Sequence, residues 1–359
     1  MVTDPATASR QTRWTISRLE SVPYAPLWAW AVISSVWMTC YCLYAHIVVG
    51  ADLGSGEFWQ GWGLTNIQDA LLIGYLPAAT LWGQRRAART LHALRPALEC
   101  TAAEFEDARE ALHDFGRRRS ILIVAIALAI GLSIGGYNIL RLSADPGLAA
   151  GLLERLGFAG ERASHVIQRI AAWETLNLTV VAPLLGLFVY LEAAVSDRIS
   201  AVAERHARID LIDLTPLKAL TDQGLGSAVR VIGVAVIASI GLLVVLEDLM
   251  VVAALIAAPI FGAVALFWPV RGARRRIARE RDRELARVRT EIRDALDGRA
   301  SSADGRLADL LAYETRLEAV QPSLFDRTAL LRFGIIVGTG MSMIGGALVE
   351  RVVGVILDR

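Results

Sequence analysis

Lysine is all but missing from this sequence: of 37 basic residues only Lys218 is not an arginine, which we read as a base-composition habit of the genome with no functional meaning. A basic surplus is missing too. The formal net charge is +1, whereas a nucleic-acid surface needs a clear excess of positive charge, so no nucleic-acid partner is expected. Cysteine is scarce. Cys40, Cys42 and Cys100 are too few for a disulfide framework, and two residues that lie two apart on a helix face different directions, so they read as packing residues. The histidines (His46, His92, His113, His165 and His206) never sit three or four apart, so no helix presents a two-histidine metal face. No metal and no cofactor are expected.

The motifs of soluble enzymes are also lacking. There is no Walker loop, no HExxH, no GxSxG and no CxxC pair. Gly338-Thr339-Gly340 has none of the rest of a phosphate loop, and His113-Asp114-Phe115-Gly116 has no kinase context. Asn177-Leu178-Thr179 matches a glycosylation sequon but lies inside an apolar run. With no nucleophile, metal cluster or cofactor box, the chain does not read as an enzyme.

What is present is apolar sequence in long blocks. Hydrophobic residues make up 54% of the chain and charged ones 20%, with a mean hydropathy of +0.45. Apolar segments alternating with charged ones account for all three figures. A bilayer crossing takes roughly twenty apolar residues. Six windows meet that length: 26–49, 64–82, 120–141, 170–193, 227–246 and 249–270. The first comes late and is too long for the apolar core of a signal peptide, so none is expected. Trp28, Trp30, Trp82 and Trp268 fall near window ends, as interfacial anchors do.

Arginine sorts the connections. Residues 1–25 carry Arg10, Arg13 and Arg18 and read as a cytoplasmic N-terminal segment by the positive-inside bias. Residues 51–63 carry no basic residue and read as external; 83–119, 196–226 and 271–330 are arginine-bearing and read as cytoplasmic arms. The segment 142–169 must then be external despite Arg155, Arg162 and Arg169, and its helical apolar spacing reads as an amphipathic helix on the outer surface. The expected fold is all-α: a polytopic bundle of six spans over 26–270, then a cytoplasmic helical hairpin (271–330) and a glycine-rich closing helix (331–359). Each outside-to-inside span carries a proline (Pro77, Pro183, Pro259) and an acid near its outer end (Asp69, Glu174, Asp248). This is a rough threefold repeat, set against the frequency of proline in membrane helices.

In the hairpin, Leu285, Val288, Ile292 and Ala295 keep a 3-4-3 rhythm, which Leu310, Tyr313, Leu317 and Val320 resume after a turn at 297–306. That is a coiled-coil seam, and 271–321 can serve as a docking arm for a protein partner or simply pack as a solvated hairpin. The closing helix spaces Gly334, Gly338, Ser342, Gly346, Glu350 and Gly354 by fours. Small residues at that interval let helix backbones approach closely in a membrane, either within one chain or between copies. The helix is either a seventh span or a segment entering only partway.

The candidate chemistry is polar residues within the apolar windows. Asn66 and Asp69 open the second span, Asn138 and Arg141 close the third, and Glu174 and Asn177 share a face of the fourth. All fall in the outer half of the bilayer at similar depth. Intramembrane charges are costly and face protein or water, which makes a functional site the default expectation. Asp69, Glu174, Asn177, Asn138, Arg141 and Glu350 are therefore the candidate ion path, with Arg141 as internal counter-ion. The plainer alternative is a Glu174–Arg141 pair tying two spans together.

Three stretches, ARIDLIDLTPLKALTDQGLGSAV (207–229), RRRIARERDRELARVRTEI (274–292) and FDRTALLRFGIIVGTGMSMIGGALVERVV (325–353), resemble segments of a group of uncharacterised bacterial integral-membrane proteins that share a closing GGALVER-type helix. The resemblance covers roughly the C-terminal half and implies a bacterial inner-membrane protein, with no activity to carry over. The functional expectation is a channel or transporter for a small ion; the alternative is a membrane scaffold or signalling adaptor acting through the hairpin. Apart from the lipid bilayer, the expected partners are a second copy of the chain and a protein bound at 271–321.

Overall fold

The computed structural model describes residues 24–145, 147, 151, 163–211, 213–240, 249–296, 303–319, 325, 328 and 330–339. Regular structure among them is helical throughout, with no strand. The helices are α1 (Ala25–Val49, its last turn a π-turn), α2 (Leu64–Leu94), α3 (Ala102–Ala111), α4 (Arg117–Ala144), α5 (Ala163–His206), α6 (Lys218–Ala238), α7 (Leu249–Phe267), α8 (Arg271–Leu296), α9 (Ala303–Ala319) and α10 (Leu330–Thr339).

Among the described residues four helical segments are long and apolar enough to cross a membrane: Ala25–Val49, Arg117–Ala144, Val166–His206 and Thr215–Ala238. They hold the first, third and fourth apolar windows and residues 227–238 of the fifth. Helix α6, which carries the start of the fifth window, begins at Lys218 and not at 227, after a 3₁₀ turn at Thr215–Leu217 that contains Pro216. Only 17% of the apolar window is buried in each of Ala25–Val49 and Arg117–Ala144. Leu27, Val32, Val36, Ile47, Ile121 and Ile130 all point outward, an apolar belt of the kind a lipid environment accepts and water does not.

The second window lies in α2, which is not among the four. Its buried residues (Leu72, Ile73, Gly74, Leu76, Ala78 and Ala79 among them) cover every side of the helix, because α1, α5 and α6 pack around it. A helix enclosed in this way does not need the hydropathy of a lipid-facing one. Pro77 and Pro183 sit inside α2 and α5, and Pro259 inside α7, where each removes one backbone hydrogen bond of its helix. The acid expected to accompany the third, Asp248, lies outside the described residues.

Glycine sets the close approaches. A Cβ on Gly131 would meet the Leu178 carbonyl at 2.7 Å and one on Gly135 would meet Thr175 at 2.6 Å, so α4 rides on α5 through a small-xxx-small pair. Gly74 bears likewise on Trp30 and Ser34, and Gly224 on the Leu266 carbonyl. The closing helix is different: at Gly334 and Gly338 an added Cβ would meet nothing within 4 Å among the described residues. Ser342, Gly346, Glu350 and Gly354 lie outside the described residues.

Beyond the apolar bundle the three arginine-bearing segments share a single core. Leu91, Leu94, Leu98 and Phe105 from the first meet Ile199, Ala203, Leu217 and Leu220 from the second, and Ala273 and Ile277 from the third. A two-residue bridge between Leu98 and Ala207 joins the first two. The hairpin pairs through Leu285, Val288, Ile292, Leu310, Tyr313 and Leu317, with Arg289 donating to Glu314 and Glu318 at 2.7 Å each. Val320 of the expected seam lies outside the described residues, as do 146, 148–150 and 152–162 of the expected amphipathic segment 142–169, whose first residues end α4 and whose last seven open α5.

Helix α3 opens with a reciprocal capping box. Thr101 Oγ1 accepts from the Glu104 N–H at 3.2 Å, and the Thr101 N–H donates to the Glu104 carboxylate at 2.7 Å. That backbone N–H, and then the Thr101 hydroxyl, hold the Glu104 carboxyl below its ordinary range. A depressed folded-state value contributes stability above the unfolded value, about 4.3, which is lost as pH falls through the lower folded one. Thr101→Ala should cost about 1 kcal/mol. Acid unfolding of Glu104→Gln, followed by circular dichroism, should lose this component, and an unchanged acid limb would contradict the assignment.

Candidate active network in the bundle

The C-terminal end of α1 and the N-terminal ends of α2 and α5 converge on an aromatic cluster of Tyr41, Phe58, Trp62 and Trp173. Tyr41 lies edge-on to Trp62 with ring centroids 5.0 Å apart, and Trp37 and Trp173 are 5.8 Å apart. Indole rings are apolar bodies with a single N–H that needs an acceptor when buried. Here the N–H groups point into one hydrogen-bonded network. Trp62 Nε1 donates to Glu174 Oε1 at 2.7 Å, Trp173 Nε1 to Asn66 Oδ1 at 2.5 Å and Trp37 Nε1 to Asn177 Oδ1 at 3.1 Å.

The amides complete it. Asn177 Nδ2 donates to Asp69 Oδ2 at 2.8 Å and to Asn66 Oδ1 at 3.1 Å. Asn66 Nδ2 donates to the Trp62 carbonyl at 2.9 Å and to Glu174 Oε1 at 3.5 Å. Asn66 and Asn177 are each 1% exposed, while Asp69 and Glu174 keep partial exposure. Among the described residues no basic side chain forms an ion pair with either acid.

Asp69, Glu174 and Asn177 are thus brought together, with Asn66 between them. Asn138 and Arg141 are not. Both are exposed on α4, which packs chiefly onto α5 alone and so leaves most of its circumference facing outward. The expected Arg141 counter-ion and the Glu174–Arg141 tie are therefore replaced by amide and indole donors. Glu350 lies outside the described residues.

A second polar centre went unseen in the sequence. Arg230 on α6 is 0% exposed and forms a two-pronged pair with Glu192 on α5, Nε to Oε1 at 2.6 Å and Nη2 to Oε2 at 3.0 Å. Nη2 also reaches Ser227 Oγ at 3.0 Å, and the guanidinium carbon stands 5.6 Å from the Trp82 ring centroid. Gly83 of α2 makes room, since a Cβ there would meet Glu192 Oε1 at 2.6 Å. Trp82 is therefore part of an internal contact, as is Trp30, which donates to the Leu71 carbonyl at 3.1 Å; Trp28 alone of the three keeps an outward position.

Glu174 and Glu192 stand about 27 Å apart along α5 at 1.5 Å per residue, close to the hydrocarbon thickness of a bilayer. Between the two centres lies an apolar layer of Leu76, Ala79 and Phe188 with Tyr75, Leu184, Val231 and Val234. Comparison of the chain with known families, curated proteins and solved structures finds no match.

Proposed function

We propose that the protein is a multi-pass membrane protein that binds a small cation at Asp69 and Glu174 and moves it across the bilayer. The observation that carries this reading is a pair of carboxylates set among indole and amide donors, with no basic side chain paired to either among the described residues. A carboxylate away from water needs a compensating positive charge, and a mobile cation supplies it. The partial exposure of both acids leaves an approach, and the apolar layer below them separates the site from the Glu192–Arg230 centre.

In this reading α1, α2, α4, α5, α6 and α7 are six spans, the N-terminus and the arginine-rich arms are cytoplasmic, and the membrane is a bacterial inner membrane. The closing helix, with open space at Gly334 and Gly338, offers its small-residue face to a second copy. A second reading, a scaffold or signalling adaptor, draws on the hairpin of α8 and α9, where Leu296 at the end of α8 and Leu311 midway along α9 stay 66% and 47% exposed and offer a partner apolar surface.

Flux in proteoliposomes separates the two. The expected result is cation movement that Glu174→Gln and Asp69→Asn each abolish while the protein elutes as folded. Movement surviving both substitutions would displace the path from this site, and a wild type silent under every gradient would favour the adaptor.

A further inference from the structure

Resting on that reading, we infer that the cation is a proton, held between Asp69 and Glu174 with the Tyr41 hydroxyl beside it, and not a metal ion. The argument is a count of oxygen lone pairs. Hard metal cations are held by about six or more oxygens. The oxygens of this site are already occupied by N–H donors. Asn66 Oδ1 accepts from Trp173 and Asn177, and Glu174 Oε1 accepts from Trp62 and Asn66. Two donors fill both lone pairs of an sp² oxygen. Asn177 Oδ1 is engaged by Trp37, and Asp69 Oδ2 by Asn177.

The lone pairs left over lie on the second oxygens of Glu174 and Asp69, on Asp69 Oδ2 and on Asn177 Oδ1, four side-chain oxygens where a hard metal cation takes about six or more. The described residues hold no group of three or more His, Cys, Asp or Glu side chains fit for a metal. A ring of N–H donors suits oxygen anions and repels a bare metal ion. A proton needs no shell. Bound to one carboxylate, it makes that group a hydrogen-bond donor and leaves the pair with a single negative charge, which the indoles and amides partly compensate.

Tyr41 adds a second observation. It is 0% exposed, its hydroxyl has no hydrogen-bond partner among the described residues, and it lies within electrostatic reach of Glu174. A fully enclosed phenol left unpaired costs free energy unless something visits it, and a carboxyl that gains and loses a proton changes between donor and acceptor beside it. The other titratable and charged groups around the site are Cys42 and Tyr44 on α1 and Arg169 on α5, whose guanidinium donates to the Val48 carbonyl. His46 on α1 and Arg141 on α4 are exposed.

The test uses the full-length protein in nanodiscs and reads indole fluorescence, since Trp37, Trp62 and Trp173 all donate into the network. One titration varies pH in buffer free of sodium and potassium; the other varies NaCl or KCl at fixed pH. The expected result is a pH-dependent component, lost in Glu174→Gln and displaced in midpoint by Tyr41→Phe, with no response to either metal ion. Tyr41→Phe keeps the ring packing, so a residue with a merely structural role would leave the midpoint in place. A sodium or potassium response that Glu174→Gln removes would overturn the proton assignment and leave the cation site standing. Insensitivity to pH and to both metal ions would overturn the site together with the proton.

Discussion

Replacing Arg230 by methionine is expected to destabilise the bundle by about 3–5 kcal/mol, the cost of leaving one partner of a buried ion pair without the other. Glu192 would keep its carboxylate against Gly83 with both guanidinium contacts gone, and its side chain is only 12% exposed. The paired change Arg230→Met with Glu192→Leu should recover most of that loss, because removing both charges also removes the cost of burying them. Thermal unfolding of the single and double variants in one detergent forms a double-mutant cycle. A single variant as stable as wild type would mean that the pair is hydrated in the membrane and holds nothing together.

Gly272→Ala is the second large effect. The added methyl would stand 1.9 Å from the Ser200 carbonyl oxygen, and the Gly272 N–H already donates to Ser200 Oγ at 2.9 Å. Both partners are backbone-bound, so α8 must move away from α5, and overpacking of this kind costs about 1–3 kcal/mol or more. The consequence should be localised: protease sensitivity of the α8–α9 hairpin rises while the membrane bundle stays intact. Gly338→Ala makes the opposite case. With nothing within 4 Å and a helical position to favour alanine by up to about 1 kcal/mol, it should be neutral or stabilising in a monomer. A marked loss of stability at Gly338 would show that this face of the closing helix is covered, and a loss that depends on protein concentration would assign the cover to a second copy.

The contrast between these glycines shows what could be read from the chain alone. Spacing by fours marked Gly334 and Gly338 as contact residues, yet Gly131, Gly135, Gly224 and Gly272 make the close approaches. A small residue permits contact, and only the neighbouring helix decides whether contact occurs. The acid pair was legible because Glu174 and Asn177 are three apart and Asp69 enters from the same membrane side, two facts that fix face and depth. The position of Arg141 was not, since depth alone does not say which way a helix turns its side chains. Glu192 and Arg230 were hidden for a related reason. Both lie at the inner ends of apolar windows, where arginine and glutamate are ordinary, and the one local hint was an arginine three residues inside the fifth window.

Helix α5 runs unbroken for 44 residues, about 66 Å at 1.5 Å per residue. It carries Glu174 near one end, Glu192 about two thirds of the way along, and Asp197, Ser200 and Glu204 against α8 at the other. In the proposed reading it is a lever with its load, the acid pair, and its handle, the hairpin contact, on opposite sides of the bilayer, and Pro183 marks the place where it can flex. A small tilt at the acid pair then becomes a longer sweep at the hairpin, and cation binding at one end is coupled to the position of the other.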